Sequence, residues 1–390
     1  MGSPLASPPG SIRILYLLVS TSPGGGPKHV FDLIRRLPSP EFSVVVAAPR
    51  DGVFFERFRD LGVTVVELPV RRLGLRHLLS TIRLIRTLGI QVVHTHGKGP
   101  GLYGRPAARW VGVPAVHTFH GIHYSGYSRL GQALYLALER RLSRLSHTII
   151  NVSASQEAEG LSLGLFEPSQ SVVVVNGINF EELDRTITSS PVRRKSLALA
   201  PDDLVLGCVS RFDPIKRVET LLQALQLLAP RIPRLTLLLV GGGGEEERIR
   251  RLVAEMGLRT RVISTGFLEN PVRIYPTLDL YVATSRKEGL PLSLVEAMGA
   301  GLAVVATDVP GHRDVVAHGE TGLLVPPEDP VALAEAISSL LADPERRRRM
   351  GEAGRHRALK EFSIQAMVEG TAEVYRRATM GLGEKGHSRL

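Results

Sequence analysis

Short β-branched runs alternate with helical stretches twice along this chain, and one polar segment separates the two series. The first series is IRILYLLVS, FSVVVAAP, VTVVELPV, QVVHTH, AVHTFH, HTIINVS and SVVVVNG, with helical spacing between, as in KHVFDLIRRL, LRHLLSTIRLIRTLG and LGQALYLALERRLSRL. Continuous apolar runs without alternation belong to strands buried on both faces, which parallel sheets require. Strands separated by helices make βα units. After Asn176 the pattern stops: FEELDRTITSSPVRRKSLALAPDD is polar and shows no strong apolar period, so an interdomain linker is expected there. The alternation restarts with LVLGCVS, a helix from about Val218 to Ala229, LTLLLVG, a helix from Glu245, RVISTGF, LDLYVAT, a helix from about Pro291, LAVVATD and GLLVPP. Helices fill the tail from Pro330. The reading is α/β, two doubly wound domains with parallel sheets facing across a cleft into which both sets of strand C-terminal ends open. A length of 390 residues fits two domains.

Composition narrows the class. A single cysteine excludes a disulfide framework and thiolate metal clusters. That residue, Cys208, sits in an apolar run and reads as a small buried hydrophobe. No run of 18 apolar residues exists, so no spanning helix is expected. The N-terminal apolar core, Ile14 to Val19, is short and has no small-x-small cleavage site behind it, so it reads as a first strand. A cytoplasmic protein is expected. The net charge of +10 is concentrated between Arg71 and Arg144, where twelve arginines and lysines meet one acid, Glu139, a net +11. Such a field attracts anionic lipid, nucleic acid or an acidic substrate. Few aromatics interleave with the basic residues, which argues against nucleic acid. The four arginines from Arg346 to Arg349 read as a solvated helix face.

The chemistry concentrates in Glu288-Gly-Leu-Pro-Leu-Ser-Leu-Val-Glu296, the loop and helix after LDLYVATS. Pro291 suits the first helical turn, where its missing N–H would be unbonded anyway. Backbone amides from Gly289 to Ser293 would then form a phosphate-binding helix N-terminus. The two carboxylates suit vicinal hydroxyls of a sugar and a ribose. His94, His96, His117, His120 and His123 cluster in sequence, with His94 and His96 on one face of a strand. No acid or cysteine lies nearby to complete a ligand set, so no metal is expected. No Asp-x-Asp stands at a strand end to support a nucleotide-bound Mg²⁺. VGGGGEEERIRR lacks the third glycine of a dinucleotide fingerprint, since residue 246 is Glu.

SRKEGLPLSLVEAMGAGLAVVATDVPGHRDVVAHGETGLLVPPEDP resembles the glutamate-x7-glutamate signature of retaining glycosyltransferases of family 4, which have the GT-B fold of two Rossmann-like domains. SPGGGPKHV resembles the family's Gly-rich acceptor-side loop, VVHTHG and HTFHG its strand-end histidines, VVVNGINF its asparagine-glycine turn, and VSRFDPIKRVETLLQAL its arginine-lysine diphosphate motif. LLLVGGGGEEERIRRL and VISTGFLEN follow in the family's order. The resemblance implies that Arg211 and Lys216 bind the donor diphosphate, where charge grows as the glycosidic bond breaks. It implies that Glu288 contacts hydroxyls of the donor sugar, that Glu296 holds the ribose, and that His120 lies beside the sugar. Gly25 and Gly26 would let the backbone approach the donor phosphates, because no Cβ intrudes. Gly266, Phe267 and Leu268, with Glu269 and Asn270, would frame the base. Gly289, Leu290, Pro291, Leu292 and Ser293 complete the donor loop.

By the same resemblance residues 1–183 form an acceptor-binding domain, 184–362 a donor-binding domain, and 363–390 cross back onto the first. The expected activity is a retaining, metal-independent transfer of a hexose-type sugar from a nucleoside-diphosphate sugar to an acceptor hydroxyl. The expected setting is glycolipid, polysaccharide or other cell-envelope glycan synthesis. The expected partners are the sugar nucleotide, a lipid-linked or glycan acceptor and an anionic membrane surface, which would make the protein peripheral on the inner face of the plasma membrane. A nucleotide-sugar 2-epimerase of the same fold and a non-catalytic sugar- or nucleotide-binding subunit are the alternatives. The first needs no acceptor. The second has no use for Arg211, Lys216 and both glutamates together.

Overall fold

The computed structural model describes residues 10–68, 74–122, 124 and 127–383, with side chains described as far as residue 380. His123, Arg71 and Arg72 lie outside the described residues. Two compact units result, one from the chain up to Asn176 and again from Ile364, the other from Gly177 to Ser363.

In unit 1 the strands are β1 (Ile12–Leu18), β2 (Phe42–Ala48), β3 (Thr64–Glu67), β4 (Val92–His96), β5 (Ala115–Phe119), β6 (Thr148–Asn151) and β7 (Ser171–Val173). The helices between them are α1 (Gly25–Ile34), α2 (Phe54–Asp60), α3 (Leu75–Thr87), α4 (Lys98–Val111), α5 (Arg129–Ser143) and α6 (Ala154–Ser162). The strands pair in parallel in the order β3-β2-β1-β4-β5-β6-β7. Strand β1 shows why its sequence is apolar throughout. Ile14, Tyr16 and Leu18 pack on one face with Val30 and Leu33 of α1. Leu15 and Leu17 pack on the other with Ile85 of α3 and Tyr103, Ala107 and Ala108 of α4. Helix α4 lies close against the sheet because Gly104 has no Cβ: one there would meet Thr95 Cγ2 at 2.3 Å.

Unit 2 opens with α7 (Phe180–Ser189) and continues β8 (Leu204–Val209), α8 (Val218–Leu228), β9 (Leu235–Val240), α9 (Glu246–Glu255), β10 (Val262–Gly266), β11 (Leu280–Ala283), α10 (Leu292–Gly299), β12 (Val304–Thr307), α11 (Pro310–Val315), β13 (Gly322–Val325), α12 (Pro330–Ala342) and α13 (Pro344–Glu361). Its sheet is parallel in the order β10-β9-β8-β11-β12-β13. Cys208 is buried in this core, and burial pushes its thiol up to about 11.

The polar stretch after Asn176 opens with helix α7 and lies within unit 2, not between the units. Asn179 caps it through the Glu182 amide at 3.2 Å, and Phe180 and Leu183 bury one turn apart. A Cβ on Gly299 would lie 2.5 Å from the Phe180 ring, so α7 seats on α10 and belongs to unit 2. The first unit therefore ends at Asn176 rather than at residue 183. Two buried side chains on a short helix leave too little apolar period to stand out in sequence.

The last helix, α14 (Ile364–Gly383), packs in unit 1. Met367, Val368, Ala372 and Tyr375 join the cluster around Ile14 and Tyr16. Where the chain leaves and re-enters unit 2, the Ile178 amide donates to the Phe362 carbonyl at 2.8 Å and Ile178 pairs with Ser363.

Candidate active site

In an open parallel sheet, ligands bind outside the strand C-terminal ends where the strand order reverses. Unit 1 reverses between β1 and β4, and unit 2 between β8 and β11. The residues singled out in sequence lie in the loops leaving these strands and their neighbours or in the helices those loops lead into.

In unit 2, the loop after β8 carries Arg211 and Lys216 and the loop after β11 carries Glu288. Lys216 Nζ meets Glu288 Oε1 at 2.5 Å, and Ser285 Oγ donates to the same oxygen at 2.6 Å. Burial by itself raises the Glu288 carboxyl, but the Lys216 ammonium and neighbouring His312 outweigh it and hold the group below its ordinary range. The two loops are also stitched through backbone: Arg286 N–H donates to Ile215 O at 2.8 Å, and Thr284 Oγ1 to Lys216 O at 2.9 Å. Arg211 is not part of this pair. It is exposed, and its guanidinium engages Asp213 at 2.7 Å. It thus stays available to an anion at the loop's surface.

Gly289, Leu290 and Pro291 are buried and lead into α10, with Leu292 and Ser293 in its first turn. Pro291 is the N-cap, one position before the first turn in which the sequence places it. The first amides of a helix have no intrahelical acceptor, so those of Leu292 and Ser293 are suited to hold an anion. Glu296 is buried one turn further on and accepts from Tyr275 OH at 3.1 Å. Burial, then the Glu296 charge, pushes the Tyr275 hydroxyl well above its ordinary pKa, so it stays a donor. Gly266 closes β10, and Phe267 beside it is 58% exposed, with Leu268 half-buried.

Sequence reasoning did not single out the groups that support these loops. His312 is buried, with Nδ1 at 2.7 Å from Thr307 O, and Thr307 Oγ1 donates to Ser285 O at 2.6 Å. A Cβ on Gly311 would lie 2.7 Å from Glu288 O, so the start of α11 presses directly on the glutamate's backbone. The four-glycine loop after β9 has a similar task. Gly241 has φ 134°, and a Cβ there would overlap Ser210 O at 1.8 Å, in the loop that carries Arg211. These glycines pack backbone on backbone.

In unit 1, Gly25 and Gly26 form the first turn of α1, which starts earlier than KHVFDLIRRL suggests. A Cβ on Gly25 would meet nothing within 4 Å, and one on Gly26 only His120 Cδ2 at 3.9 Å. His96 ends β4, and its Nδ1 lies 3.0 Å from His120 Nε2 in the loop after β5. His29 of α1 joins them, with its ring 5.0 Å from that of His120. His94 shares the face of His96, with their rings 4.1 Å apart, but both its nitrogens are engaged, by Tyr375 OH at 2.6 Å and Thr118 Oγ1 at 2.7 Å, whereas His117 lies on the other face with Nδ1 at 2.7 Å from Thr95 Oγ1. Strand alternation separates His117 from His94 and His96, and no local pattern in sequence points to His29.

The architecture is that of the GT-B glycosyltransferases. HepE of Anabaena, solved in complex with UDP and glucose, superposes with a TM-score of 0.83 at 22% identity, over 94% of this chain and 99% of that one. Residues 23–182 match the family described as Glycosyltransferase Family 4, and residues 189–357 the one described as Glycosyl transferases group 1. The putative glycosyltransferase EpsD of Bacillus subtilis is 30% identical over 75% of this chain and 78% of its own length. An Escherichia coli enzyme named UDP-Gal:alpha-D-GlcNAc-diphosphoundecaprenol alpha-1,3-galactosyltransferase is 24% identical over 87% of this chain and 90% of its own. The chain belongs to the group 1 glycosyltransferases and is a sugar-nucleotide-dependent glycosyltransferase.

Proposed function

We propose that this enzyme transfers a hexose from a nucleoside-diphosphate sugar to a hydroxyl of a lipid-linked or glycan acceptor, with retention and without a metal, in cell-envelope glycan synthesis. The observation that carries the reading is the half-buried Lys216–Glu288 pair at the switch point of unit 2, beside exposed Arg211 and the start of α10. In this reading Arg211, Lys216 and the α10 amides neutralise the departing diphosphate, which gains charge as the bond to the sugar breaks. Glu288 orients sugar hydroxyls, Glu296 holds the ribose, and Phe267 offers a face to the base. His120 contacts the transferred sugar, and the leaving phosphate takes the acceptor proton. No second carboxylate is assigned as nucleophile, which favours a same-face displacement. Unit 2 takes the donor role and unit 1 the acceptor role. A donor panel, read by released nucleoside diphosphate in excess chelator, tests this. Release that needs both donor and acceptor, with an α-linked product by NMR from an α-linked donor, is the expected result. Epimerised donor formed without acceptor, or activity lost to chelator and restored by Mg²⁺, overturns it.

The membrane partner is supported by helix α5. Its inner side buries Glu139, Leu142 and Ser143, with Glu139 paired to buried Arg105 at 2.6 Å. Its outer side is apolar too: Leu130, Ala133, Leu134, Ala137 and Leu138 are exposed in one helical stripe, Leu130 at 71% and Leu134 at 63%. Exposed Arg129, Arg141 and Arg144 border the stripe. On α3, Leu75 and Leu79 are exposed beside Arg76, Arg83 and Arg86. A leucine ridge bordered by arginines suits an interfacial helix on an anionic leaflet, where each basic residue contributes about 1 kcal/mol. No helix among the described residues is long and apolar enough to cross a membrane. Co-sedimentation with anionic vesicles, lost in Leu130→Ser/Leu134→Ser and weakened by salt, is expected. Equal binding to neutral vesicles, or none to either at low salt, leaves a soluble acceptor.

A further inference from the structure

Three imidazoles in unit 1 arrive at one point from three separate elements. His29 comes from α1, His96 from the end of β4 and His120 from the loop after β5. One ring nitrogen from each lies within 4.8 Å of the other two. His29 Nδ1 and His96 Nε2 are buried and have no hydrogen-bond partner. His96 Nδ1 meets His120 Nε2 at 3.0 Å, and unpaired buried nitrogens are costly to a fold, so a cluster of three imidazoles that keeps two of them points to a ligand.

The chemistry of the cluster identifies the ligand class. An imidazole nitrogen that no hydrogen bond engages, as at His29 Nδ1 and His96 Nε2, offers its lone pair to a metal. Neutral nitrogen donors without oxygens select zinc, cobalt, nickel or copper over magnesium and calcium, which need carboxylates and carbonyls. Three histidine nitrogens and one open position match a tetrahedral zinc site with an exchangeable ligand, at metal–nitrogen distances of about 2.0–2.1 Å. Reaching those distances requires the rings to close inward, and His120 is the one of the three that is half-buried and lies in a loop. Tyr16 stacks on His96 at 5.7 Å and holds that ring in place.

We propose that His29, His96 and His120 form a site for a divalent transition metal, and that its occupation blocks transfer by removing His120 from the sugar. Metal binding stands on the three histidines alone. The inhibition rests on the role proposed above for His120. A metal that inhibits is compatible with chemistry that needs none, since chelator would then preserve or raise activity.

Cobalt titration of the full chain, freed of metal by chelator and dialysis, tests the site without any donor. One Co²⁺ per chain with the intense visible absorption of a tetrahedral centre, displaced by Zn²⁺, is expected. His29→Ala should weaken binding at least tenfold, on the scale of lost metal-site contacts. His29→Gln, with far-UV circular dichroism and thermal unfolding as folding checks, separates ligand loss from collapse. His318→Ala in unit 2 should leave binding unchanged. Absence of the band, or a band that survives intact in folded His29→Gln, overturns the site. With an active donor in hand, inhibition by Zn²⁺ that chelator reverses supports the block. Stoichiometric Zn²⁺ without inhibition overturns it while leaving the site standing.

Discussion

At the switch point of unit 1 the loops carry histidines and glycines. At that of unit 2 they carry Arg211, Lys216 and Glu288. The sheets share one strand order for their first six strands, yet one site is built from imidazole rings and the other from charged side chains. The backbone topology supplies a place for a ligand and leaves its electrostatics to a few side chains. A departing diphosphate needs cations. Neutral imidazoles serve instead as hydrogen-bonding and ligating groups.

The difference has its largest expected consequence in acid. Burial first, then neighbouring positive groups, lowers the pKa of His94, His96 and His117, and burial lowers that of His29 to about 4. A histidine that stays neutral in the folded chain takes up a proton on unfolding once pH drops below about 6.5. Stability is therefore undiminished above that value and falls as pH goes from there toward the folded pKa. A group that stays neutral in the fold shifts the folding equilibrium by up to about tenfold per pH unit, and the four act in the same direction. Unit 2 has a single buried histidine of this kind among its described residues, His312, whose lowering by burial Glu288 opposes. The depressed Glu288 stabilises above the ordinary carboxylate range and is lost only at lower pH. Peptide-resolved hydrogen exchange, corrected for intrinsic rates, should show unit 1 opening before unit 2 between pH 6.5 and 5. Simultaneous opening would erase the contrast.

Chemistry comes next in size. Lys216→Ala should lower turnover by about 10²-fold or more, and should also destabilise unit 2 by about 1–3 kcal/mol, because half-buried Glu288 loses its cation and keeps only Ser285 as a partner. Arg211→Ala should cost turnover on a similar scale but little stability, since the side chain is exposed. Steady-state kinetics with urea titrations separate the two. Unchanged turnover in both variants would remove unit 2's claim to the diphosphate. Within the glutamates, Glu288→Gln should lower kcat, and Glu296→Gln should mainly raise the donor KM. The reverse ordering would exchange their roles.

The smallest effect probes the tail. Tyr375 OH lies 2.5 Å from Tyr16 OH and 2.6 Å from His94 Nδ1. Tyr375→Phe leaves those buried groups short of a partner and should destabilise unit 1 by about 1–3 kcal/mol in urea. A change below about 0.5 kcal/mol would mean that apolar contacts alone hold α14 to the sheet.

Most strands and the helices between them were legible because their periods are local: β1 reads as doubly buried from seven consecutive residues. Glu288 and Glu296 stand out in sequence for the same reason, lying on one loop and the helix that follows it. Helix α7 was missed because it buries only Phe180 and Leu183. His29 was missed because nothing near it in the chain hints at His96 and His120.

By itself, then, the sequence determined the α/β class, the two series of strands and the motif positions of Arg211, Lys216, Glu288 and Glu296. Only the tertiary structure decided that Lys216 pairs with Glu288 across 72 positions and that Tyr375 reaches His94 across 281. The cause is the strand order. Strands β1 and β4, like β8 and β11, are neighbours in space without being neighbours in the chain, so the loops they bring together share no local pattern.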